Sequence, residues 1–202
     1  MTKLKSLSLL ATLGMLAGTA QAAPPIAPDG AGWYYDVSGG ALWLQDISVG
    51  GASLDFDTGW ALNAELGYDL GNGLALGVNA GYYTADLGSL SGHDFGVDAG
   101  GDISAVPVLG NVRFSHHLTQ SLSINLGVGL GVVYTESGID ESNDADVSGF
   151  RNDSWEFGFQ ALAGLQYHIT DGTSVGVGYR YLHVDDSDLQ GHLLQASVNF
   201  RW

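Results

Sequence analysis

The sequence predicts an all-β fold, an eight-stranded antiparallel up-and-down transmembrane β-barrel, and three observations predict it. Apolar and polar side chains alternate with period two in eight successive segments, the mark of strands with one apolar and one polar face. The segments run about 11–15 residues, longer than the five or six usual in soluble sheets and long enough to cross a bilayer when tilted. Aromatic residues stand near both ends of most apolar faces, as in the two girdles of a membrane barrel.

The first segment is Trp33–Gln45. Trp33, Tyr35, Val37, Gly39, Ala41 and Trp43 share one face, with Asp36 and Ser38 on the other. Phe56–Leu70 is the clearest: its even positions, from Phe56 through Trp60 and Leu66 to Leu70, are mostly apolar, and its odd positions include Asp57, Asn63, Glu65 and Asp69. In Gly73–Thr84, Leu74, Leu76, Val78, Ala80 and Tyr82 oppose Gly77, Asn79 and Gly81. Ile103–His116 sets Val106, Val108, Val112 and Phe114 against Asn111, Arg113 and Ser115, with Pro107 and Leu109 blurring the pattern. In Ser121–Thr135 the even positions from Leu122 to Tyr134 are apolar and face serines, Asn125 and three glycines. Trp155–Ile169 carries Trp155, Phe157, Phe159, Leu165, Tyr167 and Ile169 against Glu156, Gln160, Gln166 and His168. Thr173–His183 sets Val175, Val177, Tyr179 and Tyr181 against Ser174, two glycines and Arg180. The eighth, His192–Trp202, alternates Leu194, Ala196, Val198, Phe200 and Trp202 with Gln195, Ser197, Asn199 and Arg201.

These segments place Trp33, Tyr68, Phe114, Tyr167, Phe200 and Trp202 at one membrane interface. Trp43, Phe56, Trp60, Tyr82, Tyr134, Trp155 and Tyr181 fall at the other. The connections alternate in length as well. Asp69–Gly73, His117–Gln120 and Thr170–Gly172 are short. Asp46–Asp55, Ala85–Asp102, Glu136–Ser154 and Val184–Gly191 are longer and acidic. Short periplasmic turns and long external loops are the habit of this architecture. A soluble sandwich also alternates, but its strands are shorter. Phe114–Thr135 carries no Asp, Glu, Lys or Arg and is long enough for a membrane helix, yet its polar positions recur with period two.

The opening residues read as a secretory signal peptide over residues 1–22. Lys3 and Lys5 form a basic start, Leu7–Ala17 is a short apolar run, and Ala20-Gln21-Ala22 is a small-x-small cleavage site. The run is too short to span a membrane as a helix. Cleavage leaves residues 23–202 as the barrel domain, with residues 23–32 as a lead-in. The chain has no cysteine, which excludes a lipoprotein anchor and a disulfide framework. Residues 23–202 hold four arginines against 22 acids, a formal charge of −18. Such a charge repels nucleic acid. With 45% of the chain apolar, the acids and the hydrophobic residues must be segregated rather than mixed along a disordered chain.

If the apolar faces meet lipid, the polar faces fill the lumen. Arg113, Arg180 and Arg201 fall on that inward face with Glu65 and Glu156, and Asp36 and Asp69 lie nearer the ends. An eight-stranded barrel has just enough interior for side chains. An isolated buried charge is costly, so Glu65 and Glu156 are expected to pair with some of these arginines and plug the lumen. The alternative leaves the arginines solvated at the rims.

With eight strands, a signal peptide and a closing aromatic strand, the chain resembles the small outer-membrane β-barrel proteins that include the opacity proteins and the OmpX and OmpW groups. Gly178–Asp186 (GYRYLHVDD) and Gly191–Trp202 resemble their last hairpin. Trp202 stands where that family usually ends in Phe. The resemblance implies the cell outer membrane of a Gram-negative-type bacterium, contact with its lipid and lipopolysaccharide, and insertion by the barrel-assembly machinery through a C-terminal signal at Phe200 and Trp202. Members of the family act as adhesins, surface-protection proteins or narrow channels, so the fold alone does not decide activity.

Chemistry-bearing residues are few. Some barrels of this size remove acyl chains from lipid A with a His-x-Ser pair, but His183 is followed by Val184 and Asp185, and a serine nucleophile needs its base within reach. Ser187 and His192 are the other pair near that loop. His116 and His117 sit at a turn without further ligands at metal-binding spacing. Asp140, Glu141, Asp144 and Asp146 cluster in one loop and Asp185, Asp186 and Asp188 in another. The first lacks the closing Glu of an EF-hand, with Arg151 in that place, so a solvated anionic face with weak divalent-cation binding is expected rather than a metal site. The functional expectation is a non-enzymatic structural or surface-interaction protein acting through acidic external loops, towards a host or environmental surface ligand. The runner-up is a narrow channel lined by Asn63, Glu65, Asn125 and Gln160, and the third reading is a lipid A-modifying enzyme. No cofactor is expected.

Overall fold

Each alternating segment forms a strand, because period-two patterning suits a sheet with lipid on one side and a packed interior on the other. The computed structural model describes residues 30–202 apart from 46, 50–51, 93–94, 99–100, 140–150 and 186–188. The expected signal peptide and most of the lead-in lie outside the described residues, as do Asp140–Asp146, Asp186, Ser187 and Asp188.

Eleven strands follow in order: β1 Gly32–Leu44, β2 Ile47–Val49, β3 Ala52–Phe56, β4 Gly59–Asp69, β5 Leu74–Gly92, β6 Phe95–Asp98, β7 Gly101–His117, β8 Leu122–Ile139, β9 Arg151–Thr170, β10 Thr173–Val184 and β11 Leu189–Arg201. Eight of them form a closed antiparallel ring in the order β1, β4, β5, β7, β8, β9, β10, β11. The last strand returns to the first: Tyr34 faces Arg201, Ser38 faces Ser197 and Leu44 faces Gly191. One interruption stands in the β5–β7 seam. Pairing runs to Ala80 with Val108 and resumes at Tyr83 with Ala105. Pro107 falls in the gap, where it has no N–H to donate.

The short turns are built by local chemistry. In Asp69–Gly73, Gly71 and Gly73 have φ of 77° and 85°, a region that glycine enters freely. The Asp69 carboxylate accepts the Gly71 N–H at 2.8 Å, and the Asn72 amide oxygen accepts the Leu74 N–H at 3.1 Å. In the next turn the Thr119 hydroxyl accepts the Ser121 and Leu122 N–H groups at 3.3 and 3.1 Å. Phe114–Thr135, long enough for a helix, is instead the β7–β8 hairpin.

The long connections differ from the sequence expectation. Ala85–Asp102 and Glu136–Ser154 are partly strand: β5 runs on to Gly92, β8 to Ile139, and β9 starts at Arg151. The short β2, β3 and β6 add hairpins at that end, with β3 and β6 pairing on the extension of β5. Phe56 accordingly belongs to β3 and not to the barrel strand β4. Ladder bonds that are satisfied in lipid stay favourable beyond it, so sheet continues where alternation has already faded.

The outward faces carry the apolar band. Leu62, Leu66, Val78, Leu130, Val177 and Leu194 are all exposed on it. Both aromatic girdles are present and internally packed. Trp33 meets Tyr68 edge to face at 5.4 Å between ring centroids at the short-turn end. Trp60 with Tyr82 and Tyr134 with Trp155 pack in tilted pairs at the other end, at 5.5 and 5.3 Å.

The interior has two characters. Toward the long-loop end it is apolar: Leu42, Ala61, Tyr83, Ala105, Leu109, Val133, Leu182, Val184, Leu189 and Leu193 form one buried cluster. Leu109, which blurs the alternation in sequence, points inward with Leu193 and completes it. Truncating Leu109 to Ala should therefore destabilise the refolded barrel by about 2–5 kcal/mol, as large-to-small changes in packed cores do. The urea midpoint followed by tryptophan fluorescence reads this, and a midpoint equal to that of the native chain would show the layer to be loosely packed.

Candidate functional site: the lumen of the barrel

The middle of the lumen is a polar network centred on Glu65, which β4 points inward and which is 1% exposed. Tyr34 donates its hydroxyl to Glu65 Oε1 at 2.5 Å, and Arg113 Nη1 donates to the same oxygen at 3.2 Å. Asn111 Nδ2 donates to Glu65 Oε2 at 2.5 Å. The contact with Arg113 is an ion pair, and the second guanidinium nitrogen lies 3.9 Å from Asp36. Tyr34 reaches Glu65 because Gly67 and Gly77 leave room for its ring: a Cβ on Gly67 would lie 2.4 Å from it.

The network continues across the barrel. Gln160 Nε2 donates to Asn111 Oδ1 at 2.6 Å. Arg180, 1% exposed, donates to Gln160 Oε1 at 2.8 Å, to Asn79 Oδ1 at 3.1 Å and to Gln195 Oε1 at 3.3 Å. Ser38 donates to Gln195 as well, at 3.3 Å. Seven of the eight barrel strands thus contribute a side chain. The eighth, β8, passes this level with Gly127 and Gly129, and a Cβ on Gly129 would collide with Asn111 Oδ1. The central layer holds two acids, Asp36 and Glu65, and two arginines, Arg113 and Arg180, so its formal charge is zero. Neutrality and many hydrogen bonds are what make buried charge tolerable.

The expected site residues are distributed unequally. Glu65 and Arg113 are brought together. Arg180 sits at the centre but is held by amide oxygens. Arg201 pairs with Asp69 at 3.4 Å at the short-turn rim and also donates to the Gly30 carbonyl. Glu156 lies toward the other end, accepting from Thr135 at 3.0 Å and Ser154 at 2.5 Å. Phe200 and Trp202 face outward at the end of β11, and the Trp202 N–H reaches the Trp33 carbonyl at 3.1 Å. Sequence reasoning missed the neutral partners Asn79, Asn111 and Gln195. Their signal was an amide recurring at inward positions of strand after strand.

Below the network, at the short-turn end, the lumen opens into a cavity of about 390 Å³ lined by Tyr34, Arg113, Asn125, His168, Asn199 and Arg201 among others. Ser115 donates to Asn125 at 2.5 Å, and the Ser123 hydroxyl lies 3.1 Å from His168 Nε2. No group of three or more metal-binding side chains is present among the described residues. Asn63, Glu65, Asn125 and Gln160, the candidate channel lining, are all buried.

Removing one partner of the central pair should leave the other charge uncompensated. Arg113→Ala should cost about 3–5 kcal/mol of unfolding free energy. Combining it with Glu65→Gln should recover part of the loss. Additive losses in a double-mutant cycle would show that the two residues do not act as a pair.

Comparison with known proteins accords with this geometry. The chain matches the family described as "Outer membrane protein beta-barrel domain" over residues 8–201. An uncharacterized protein of Brucella abortus is 32% identical over 75 residues, which are 33% of this chain and 26% of that protein. The match thus spans about a quarter of the length of the curated relatives. Among solved structures, Neisserial surface protein A has a TM-score of 0.59 at 18% identity, covering 86% of this chain and 99% of its own. OprG of Pseudomonas aeruginosa has a TM-score of 0.59 at 16% identity, covering 87% and 99%. Ail of Yersinia pestis, in complex with the heparin analogue sucrose octasulfate, has 0.57 at 13%, covering 86% and 99%. Identities this low show a shared fold. The chain belongs to the outer membrane protein β-barrel domain family and is a β-barrel of the outer membrane.

Proposed function

We propose that this protein is a non-enzymatic, non-conducting barrel that works as a structural or surface-interaction protein through its acidic external loops. The observation that carries this reading is the filled lumen. A side-chain network tied to seven strands occupies its middle, and an apolar layer seals it toward the long loops. An ion crossing that layer would shed its hydration among leucine, valine and alanine side chains.

The loops supply the functional chemistry. Fifteen of the 22 acidic residues lie in Asp46–Asp55, Ala85–Asp102, Glu136–Ser154 and Val184–Gly191, and residues 23–202 contain no lysine. A surface of this sign favours basic partners and divalent cations that bridge it to anionic lipopolysaccharide. Ail is seen with a sulfated heparin analogue, but the charge of the present loops speaks against a polyanion as their direct partner. The partner then belongs to the host or environmental surface. Residues 1–22 serve as the export signal, and Phe200 and Trp202 as the recognition feature for barrel assembly.

A narrow channel is the second reading, favoured by the polar cavity at the short-turn end. Catalysis lacks a comparable observation. The described Ser–His contact, Ser123 with His168, lies inside that cavity and not on the lipid face. Planar-bilayer recording of the refolded protein separates the first two readings. We expect no discrete conductance steps from the native chain, while steps altered by Glu65→Ala would establish the channel.

A further inference from the structure

The outer wall carries one cluster that neither the lumen nor the apolar band explains. At the long-loop end of β9, β10 and β11, the outward positions are Phe159, Tyr179, Tyr181, His183, Gln190 and His192. Trp43 of β1 stands beside His192 in register. Below this level the wall returns to Val175, Val177, Leu165 and Leu194. The cluster therefore sits at the upper girdle, at the depth of lipid headgroups.

Its polar atoms are organised. The Tyr179 hydroxyl and His192 Nδ1 are 2.5 Å apart, and Tyr181 donates to Gln190 Oε1 at 3.1 Å. His192 packs between the two tyrosines, with ring centroids at 6.0 and 5.4 Å. His183 packs at a tilt against Phe159 at 5.0 Å, with its Nδ1 covered and without a partner. Each imidazole thus has its Nδ1 occupied or covered, which leaves Nε2 to meet a ligand. His183 pairs with Gln190 and Tyr181 with His192, so the two imidazoles are diagonal neighbours, about 7–8 Å apart at the backbone. Ala161 and Ala163 lie opposite Tyr181 and Tyr179 on β9, and their small side chains leave a step beside the rings.

The charge distribution makes the location unusual. Arg113, Arg180 and Arg201 point into the lumen. At the long-loop end, His183 and His192 are ionisable bases at outward positions of β10 and β11. Polar groups facing lipid are costly unless something satisfies them, and tyrosine with histidine at headgroup depth offers ring faces and N–H or O–H donors together.

We propose that His183 and His192, framed by Tyr179, Tyr181 and Gln190, form a site on the outer wall for the phosphorylated sugar headgroup of an outer-leaflet glycolipid. A sugar ring rests in the step beside the tyrosines, and the two Nε2–H groups donate to the phosphate. Specificity for phosphate over a neutral headgroup comes from those two donors. The site lies on the strand wall at the foot of the Val184–Gly191 connection, and it does not depend on whether the lumen conducts.

The test uses the full barrel, refolded in detergent, with lipopolysaccharide as the probe and native mass spectrometry as the readout. His183→Phe with His192→Phe keeps the rings and removes the nitrogens. We expect about tenfold weaker binding by this variant, and a similar weakening for the native protein given dephosphorylated lipopolysaccharide. Tyr68→Phe, in the girdle at the opposite end, should bind as the native chain does. Unchanged binding by the double variant overturns the site, and equal binding of the dephosphorylated lipid overturns the role of phosphate. If the Phe variant does not give the folded, heat-modifiable band, His183→Gln with His192→Gln tests the same two nitrogens, with partial retention of binding expected and full retention contrary to the proposal.

Discussion

In hydrocarbon a strand edge has no water to satisfy it, and each unpaired backbone group costs several kcal/mol. The β1–β11 pairing answers that constraint. It joins Tyr34–Leu44 to Gly191–Arg201 across nearly the whole sequence and leaves the barrel without an edge. Everything else is subordinate to this closure. Strands must be long enough to carry the ladder through the bilayer, successive side chains must divide between lipid and lumen, and eight strands leave an interior only as wide as the side chains that fill it. Even Pro107, which cannot donate to the ladder, is accommodated inside this frame, with pairing on both sides of its gap.

The interior meets two demands with two materials. Near the long loops, leucine, valine and tyrosine side chains pack as a small hydrophobic core. At the centre, charge is admitted in a balanced form, where Glu65 takes three donors and Arg180 gives to three amide oxygens. A network of this kind ties distant strands together in one arrangement, because loosening any member exposes another to an unsolvated state. The same arrangement stands in the path of ions, so stability and closure of the lumen are one property. The polar cavity below the network stops at Arg113 and Tyr34.

With the wall apolar and the lumen neutral at its core, most of the negative charge is left to the external loops and their strand extensions. Segregation of this kind lets one chain be insoluble in its middle and highly solvated at one end. The short strands β2, β3 and β6 carry sheet order beyond the membrane level. Function in such a molecule belongs to the surfaces that face outward, since the interior is committed to holding the barrel closed.

The number of barrel strands, the lipid-facing residues, both girdles and the short turns were legible in the sequence. They depend on local chemistry: period-two alternation, interfacial aromatics, and glycine, Asp and Asn at turns. The placement of Arg113, Arg180, Glu65 and Glu156 on inward positions was legible for the same reason. Their partners were not. Ser38 meets Gln195 across 157 residues, and Arg180 meets Asn79 across 101, at distances set by ring closure and stagger rather than by any neighbouring pattern. Arg180 therefore came to rest on amides and Arg201 on Asp69, where charge alone had suggested glutamates. Leu109 read as a blemish in an alternating strand, and only the closed barrel showed it to be part of one apolar layer. Sequence by itself determined which side of the sheet each residue occupies. The tertiary structure decided which residues meet across the lumen, because that depends on the geometry of closure.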